Sequence, residues 1–116
     1  LDLKKNSGIY FAGQIIGVEG YVESVSMGLL AALSAVKRIK GEMYSAPPVD
    51  TALGSLLKYV TGTRRQSFQP MNINYGLFQV HEMKIRNKRE RNKKIELKAL
   101  DSLSQWMETI NGELVK

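Results

Sequence analysis

The sequence predicts a mainly helical protein with one or two short strands. Three stretches carry apolar residues at intervals of three and four, which is the spacing of one face of a helix. A further stretch, residues 9–12, is short, apolar and rich in aromatic and branched side chains, as buried strands are. The chain has 116 residues, 43% of them hydrophobic, which suits one small domain or a piece of a larger one. Because its first residue is Leu1, we expect an excised segment of a longer polypeptide.

The predicted strand at residues 9–12 lacks an obvious partner in this chain. Strands that are apolar on both faces belong in the middle of covered sheets. No second convincing strand follows in the sequence. We therefore expect the rest of the sheet to lie elsewhere in a longer protein, and the unpaired edge to favour self-association.

A glycine turn follows the strand and leads into the first predicted helix, residues 21–40. The helix is predicted to bury an apolar stripe and to end at Gly41. The stripe consists of Tyr21, Val25, Leu29, Leu33 and Val36, joined by Ala32 and Ile39. Gly28 in the middle of this helix predicts close packing against a neighbour. The free amides at the helix start favour a ligand with acceptor oxygens, but a purely structural turn would have the same spacing.

Two more helices are predicted downstream. Pro47 and Pro48 form an extended connector, and Asp50 or Thr51 then caps a short helix that ends at Gly62. The last helix is predicted over residues 82–110, with a charged first half and an amphipathic second half. Its apolar face consists of Ile95, Ala99, Leu103, Trp106 and Ile110, joined by Leu100 and Met107.

Positive charge is concentrated at the start of the last predicted helix. The formal net charge is +6, and residues 84–94 contain seven cations and one acid. Such a block attracts phosphates, although a solvated helix face would have the same composition. The candidates for contact with a polyanion such as RNA are Arg64, Arg65, Lys84, Arg86, Lys88, Arg89 and Arg91.

Residues 67–80 form an irregular stretch that is dense in amides and aromatic rings. Asn72, Asn74 and Tyr75 suit a flat heterocycle, because amides bond a ring edge and an aromatic side chain covers a ring face. The alternative is an ordered loop whose amides bond its own backbone. No catalytic set and no metal site is predicted, since the chain has no cysteine and a single histidine, His81. No run of apolar residues is long enough to span a membrane.

The segment FAGQIIGVEGYVESVSMGLLAAL resembles the C-terminal flavin segment of the folate- and FAD-dependent tRNA (uracil-5-)-methyltransferases, the TrmFO family. The stretches TALGSLLKYVTG and FQPMNINYGLF resemble the same family, in order. The resemblance implies a fragment of an α/β, Rossmann-like FAD-binding domain of the glutathione-reductase type. Residues 1–46 would supply its strand, loop and helix, and residues 47–116 a helical region with a ligand-side loop at 67–80 and a basic helix at 82–110.

The resemblance also implies a cytoplasmic enzyme that binds FAD. The full-length protein would transfer a methyl group from methylenetetrahydrofolate to C5 of the T-loop uridine of tRNA, with NAD(P)H as reductant. Asn72, Asn74 and Tyr75 would lie on the folate side of the site. The residues implied to hold FAD are Gly13, Gln14, Gly17, Val18, Glu19, Gly20 and Tyr21.

Other interpretations of the sequence stay open. The sister GidA (MnmG) family, which modifies the tRNA wobble uridine, has a similar glycine segment. A basic helical RNA-binding module without catalysis would also fit the charge. We expect the 116-residue chain alone to be inactive and to need the rest of the FAD-binding domain upstream.

Overall fold

The structure is a computed structural model that describes residues 1–62, 67–78 and 84–114, with side chains described as far as residue 112. Three helices run through these residues: α1 (Tyr21–Ile39), α2 (Ala52–Thr61) and α3 (Lys88–Leu114). Short 3₁₀ turns lie at Gln14–Ile16 and Tyr75–Leu77. The prediction of a mainly helical chain is therefore confirmed.

The prediction of a strand at residues 9–12 is wrong. Over the ranges that the structure describes, the only β pairing is two isolated bridges, Asp2 with Tyr10 and Val18 with Met71. Around the first bridge, Leu3 N–H donates to Ile9 O at 2.8 Å and Phe11 N–H donates to Leu1 O at 3.1 Å. A strand needs a neighbouring ladder, and a single bridge to the first residues does not supply one. Self-association through an unpaired strand thus loses its structural basis.

The chain folds as two compact units. Unit 1 contains Leu1–Ala46 and Leu57–Ile73, and unit 2 contains Pro47–Leu56 and Asn74–Lys116. Helix α2 contributes its first half to unit 2 and its second half to unit 1. The roles assigned above to residues 1–46 and 47–116 stay predictions.

Helix α1 buries the face opposite to the predicted stripe. Met27, Leu30 and Ala31 are buried, whereas Tyr21 is 92% exposed and Val25 is 74% exposed. The other large members of the stripe are Leu29 (55% exposed), Val36 (39%) and Ile39 (85%), with Leu33 half-buried. The helix is apolar on two faces, so the periodicity is right while the inferred burial is wrong for this chain.

Helix α1 ends next to Gly41, as the sequence predicted. Gly41 N–H donates to Arg38 O at 3.0 Å and Glu42 N–H donates to Lys37 O at 2.9 Å. These two bonds form a Schellman motif, which satisfies the last carbonyls of the helix. The Lys37 ammonium, on a side chain that is 9% exposed, donates to the Glu42 carboxylate at 2.6 Å. The chain is therefore fixed in direction as it leaves α1.

In unit 2, α2 starts directly on the proline connector. Thr51 Oγ1 accepts from Gly54 N–H at 2.9 Å and donates to Pro48 O at 2.6 Å, so Thr51 is the predicted cap. A Cβ on Gly54 would overlap the Pro48 carbonyl. The helix backbone approaches the connector so closely that only glycine fits at this position.

Helix α3 begins later than predicted. Asn87 Oδ1 accepts from Arg89 N–H at 3.0 Å and Glu90 N–H at 3.3 Å, which fixes the start at Lys88. Residues 79–83, which include His81 and the predicted start, lie outside the described residues. The predicted core positions Ile95, Ala99, Trp106 and Ile110 are buried and Leu103 is half-buried, but Leu100 and Met107 are exposed. None of the helices in the described part of the chain is both long and apolar enough to cross a bilayer.

Two helical glycines are expected to respond oppositely to alanine. Gly54→Ala forces a Cβ into the connector backbone and should lower the free energy of unfolding by about 1–3 kcal/mol. Gly28 has no heavy atom of the described residues within 4 Å of its Cβ position, contrary to the predicted close packing. Gly28→Ala should therefore raise the free energy of unfolding by up to about 1 kcal/mol. Urea denaturation of both variants checks this; equal effects would contradict the packing of Gly54.

The contact between Lys37 and Glu42 is expected to weaken in acid. The hydrogen bond from Lys37 lowers the pKa of the Glu42 carboxyl below its usual range. Because the pKa of Glu42 is lower in the folded state, the contact stabilises the fold fully above the unfolded-state pKa. This stabilisation is lost as the pH falls through the folded-state pKa. Glu42→Gln should lower the midpoint of thermal unfolding at neutral pH and have a smaller effect in acid. A difference that is independent of pH would contradict the ion pair.

Candidate functional site

The glycine turn before α1 is built from three glycines with positive φ. The 3₁₀ turn Gln14–Ile16 lies between Gly13 (φ 82°) and Gly17 (φ 92°), and Gly20 (φ 90°) immediately precedes α1. Residues other than glycine rarely adopt these backbone conformations, because their Cβ atom clashes with the backbone. The path of the turn therefore depends on glycine at these positions.

A parallel backbone pairing fixes the turn to a distant segment. Met71 N–H donates to Gly17 O at 3.0 Å, and Glu19 N–H donates to Met71 O at 3.0 Å, on either side of the bridge between Val18 and Met71. Val18 is 1% exposed. Residues 67–73 thus lie directly against the turn, which places Asn72 of the predicted folate-side loop in this site.

Side chains approach the turn where a Cβ would otherwise be. A Cβ on Gly17 would overlap the Phe68 ring, and a Cβ on Gly20 would overlap the Glu23 carboxylate and lie 3.2 Å from Asn72 Nδ2. Phe68 is also 5.7 Å, centroid to centroid, from the Tyr59 ring. Phe68 was not among the predicted site residues, although it lies within the stretch 67–80 that is dense in amides and aromatic rings.

The start of α1 has no side-chain cap. Its first i to i+4 bond runs from Ser24 N–H to Gly20 O at 3.1 Å, so the amides of Tyr21 and Val22 precede the helical ladder. The Glu23 carboxylate accepts from Ile73 N–H at 3.2 Å. An uncapped helix start beside a glycine turn suits an acceptor-bearing group such as the ring edge of a flavin, so these residues fit FAD.

The predicted FAD-binding residues lie on this turn and at the first position of α1. Gln14, Glu19 and Tyr21 have exposed side chains, and Gly13 and Gly20 are half-buried. Gly17 and Val18 are buried.

In unit 2, Asn74 and Tyr75 organise the second 3₁₀ turn. Asn74 Oδ1 accepts from Gly76 N–H at 2.9 Å. The Tyr75 hydroxyl donates to the Glu96 carboxylate on α3, and this bond raises the pKa of the Tyr75 phenol because the neutral form is the donor. Tyr75 remains 42% exposed, and its ring lies 6.2 Å from that of Phe78.

The first turns of α3 and the turn at Tyr75 enclose a groove of two adjoining cavities, of about 530 Å³ and about 540 Å³. Three of the predicted RNA-binding cations, Lys88, Arg89 and Arg91, line it. Two side chains that sequence reasoning passed over, Asn92 and Lys93, line it as well. The i, i+4 spacing of Lys88 with Asn92 and of Arg89 with Lys93 is the signal that could have placed them together.

The other predicted RNA-binding residues are not in this groove. Lys84 and Arg86 are exposed in the segment that precedes α3. Arg64 and Arg65 lie outside the described residues. The described part of the chain holds no group of three or more His, Cys, Asp or Glu side chains that could bind a metal ion.

Known proteins align with most of the chain. The family model for glucose inhibited division protein A matches residues 1–43. Methylenetetrahydrofolate–tRNA-(uracil-5-)-methyltransferase TrmFO of Syntrophus aciditrophicus is 47% identical over 113 residues, which are 97% of this chain and 25% of the relative. This chain is homologous to the TrmFO methyltransferases.

Other TrmFO proteins match to a similar extent. The protein from Pelotomaculum thermopropionicum is 47% identical over 107 residues, and that from Bacillus subtilis is 44% identical over 107 residues. Each alignment covers 92% of this chain, and 24% and 25% of the respective relatives. The chain thus spans about a quarter of the length of the curated relatives it matches.

Alanine at Gly20 is expected to destabilise unit 1 through both strain and overlap. The positive φ and the overlap with Glu23 should together lower the free energy of unfolding by about 3 kcal/mol. In a Glu23→Ala background the overlap is relieved, so the cost should fall by about 1 kcal/mol or more. Urea denaturation of the four proteins in this cycle measures the coupling.

Gly13→Ala provides the matched control for this cycle. Gly13 also has a positive φ, but its Cβ would lie 3.9 Å from the nearest side-chain atom, on Ser24. Its cost should be the same with and without Glu23. Full additivity of Gly20→Ala and Glu23→Ala would show that the carboxylate does not lie over the turn.

Proposed function

We propose that this chain is part of a methylenetetrahydrofolate-dependent tRNA (uracil-5-)-methyltransferase. The observation that carries the proposal is 44–47% identity to TrmFO proteins over 90–97% of the chain. The GidA family model matches only residues 1–43, whereas the TrmFO alignments also take in the groove region of unit 2. The extent of the match therefore favours TrmFO chemistry over wobble-uridine modification.

The role of unit 1 is to hold the isoalloxazine ring of FAD at the start of α1. When bound, FAD would carry and reduce the methylene group of methylenetetrahydrofolate, with NAD(P)H as reductant. The amides of Tyr21 and Val22 would donate to the acceptor edge of the ring, and the exposed Gln14 side chain is available for a further bond. Near this edge the Glu23 carboxylate accepts a hydrogen bond from Ile73 N–H, which is a partner other than the free amides at the start of α1.

The role of the basic residues is to bind tRNA phosphates. Four cations line the groove in unit 2, and Lys84 and Arg86 are exposed just before it. Among the described residues, none of these six cations takes part in an ion pair. Charges that the described residues do not neutralise remain available to a polyanion. Asn72, which lies against the glycine turn, and Asn74 and Tyr75, in unit 2, remain our candidates for the folate side.

The exposed face of α1 is the proposed contact with the rest of the polypeptide. Tyr21, Val22, Val25 and Ile39 are each at least 74% exposed. A helix face of this kind is normally covered in a folded domain. Since the relatives are about four times as long as the matched segment, we assign this face to the remainder of a FAD-binding domain in a cytoplasmic enzyme.

The test is methyl transfer by the longer polypeptide that carries this segment. With FAD, labelled methylenetetrahydrofolate and NAD(P)H, it should form one 5-methyluridine in an unmodified tRNA transcript, as measured by mass spectrometry of the nucleosides. A transcript with cytidine at the target T-loop position is the control and should accept no label. The 116-residue chain alone should be inactive. Modification of the wobble uridine instead would overturn the proposal in favour of GidA-type chemistry.

A further inference from the structure

The groove in unit 2 combines features that a phosphate-binding surface alone does not need. Its two cavities share Tyr75, Lys88 and Asn92, and each is within the roughly 300–1,000 Å³ range of small-molecule sites. A flat basic surface would be enough to bind a duplex backbone. A cavity of this size next to an exposed aromatic ring has room for a base.

The charge of the groove is strongly positive. Lys88, Arg89, Arg91 and Lys93 line it, and Glu96 is the one acid among the lining residues that the structure describes. The Glu96 carboxylate accepts the Tyr75 hydroxyl proton, which holds it against that side chain. The remaining cations can pair with the phosphates on both sides of a bound nucleotide.

The polar and aromatic groups supply contacts for the base itself. Tyr75 is 42% exposed and its ring is held by Glu96 and Phe78, which makes it a pre-ordered stacking surface. Asn92 lines both cavities, and its Oδ1 atom is buried without a hydrogen-bond partner. A buried acceptor without a partner is costly, so an N–H group of a ligand would stabilise it. The imino or amino group of a base has this chemistry.

We propose that this groove seats one unstacked nucleotide of an RNA strand, with its base against Tyr75 and Asn92 and its phosphates on the surrounding cations. The inference rests on the proposed function, because it names how unit 2 would engage the tRNA. Single-stranded RNA is generally recognised through splayed bases that stack on aromatic side chains. A duplex has no such base to offer, so the groove should prefer loops and single strands.

The test measures the binding of labelled pentauridylate to the 116-residue chain at low salt by fluorescence anisotropy. The comparison strand has the same phosphates and an abasic central nucleotide. We expect the uridine strand to bind at least about 5-fold more tightly than the abasic strand, since base stacking is worth roughly 1–3 kcal/mol. Equal affinities, or no binding at low salt, would overturn the proposal.

Variants separate stacking from charge. Tyr75→Leu should weaken binding of the uridine strand about 5-fold or more and leave the abasic strand unchanged. Tyr75→Phe keeps the ring and should retain most of the affinity. Lys93→Ala should weaken binding more than Lys94→Ala, which makes the same change in charge at the next residue of α3, outside the groove lining. Circular dichroism confirms that each variant is folded.

Two outcomes distinguish this inference from the proposed function. Displacement of the uridine strand by tetrahydrofolate at stoichiometric concentration would assign the groove to the folate and overturn the nucleotide seat. Base-dependent binding in a protein whose longer form lacks methyl transfer would support the seat and reject the proposed reaction. Methyl transfer that is unaffected by Tyr75→Leu, together with base-independent binding, would support the proposed reaction and reject the nucleotide seat.

Discussion

The pairing of Val18 with Met71 is the interaction on which the candidate site depends. Two backbone hydrogen bonds of 3.0 Å hold residues 67–73 against the glycine turn. This approach brings Phe68 so close to Gly17 that a Cβ on the glycine would overlap its ring. It also brings Asn72 to 3.2 Å from the position of a Cβ on Gly20. Glycine is therefore required here for two reasons, the positive φ and the lack of space. The same arrangement leaves the start of α1 open, with Tyr21 fully at the surface.

Features set by neighbouring residues could be predicted from the sequence. Gly41 and Glu42 close α1 by donating to the carbonyls of Arg38 and Lys37, and Thr51 caps α2 by accepting from the amide of Gly54. The buried positions of α3 follow from the regular spacing of Ile95, Ala99, Trp106 and Ile110. Each of these signals lies within a few turns of chain, where propensity and capping rules apply directly.

Features set by distant residues could not be predicted in the same way. Residues 9–12 have strand composition, but composition does not show whether a partner strand is present in the chain. Helix α1 has two apolar faces, and periodicity cannot tell which one this chain covers. The bond from Ile73 to Glu23 spans 50 residues, and no local pattern indicates it. The groove could not be predicted as a cavity because it needs Tyr75 and α3 to meet in space, although three of its four cations were recognised individually.

Flavin content of the longer polypeptide tests most directly whether the glycine turn presents the start of α1 to a flavin. Gly20→Ala and Gly28→Ala add the same methyl group just before α1 and within it, the first with overlap and the second into open space. At a temperature where circular dichroism shows both variants folded, Gly28→Ala should keep its full ratio of FAD to protein and Gly20→Ala should lose most of it. A full complement of flavin in folded Gly20→Ala would contradict the role proposed for this turn.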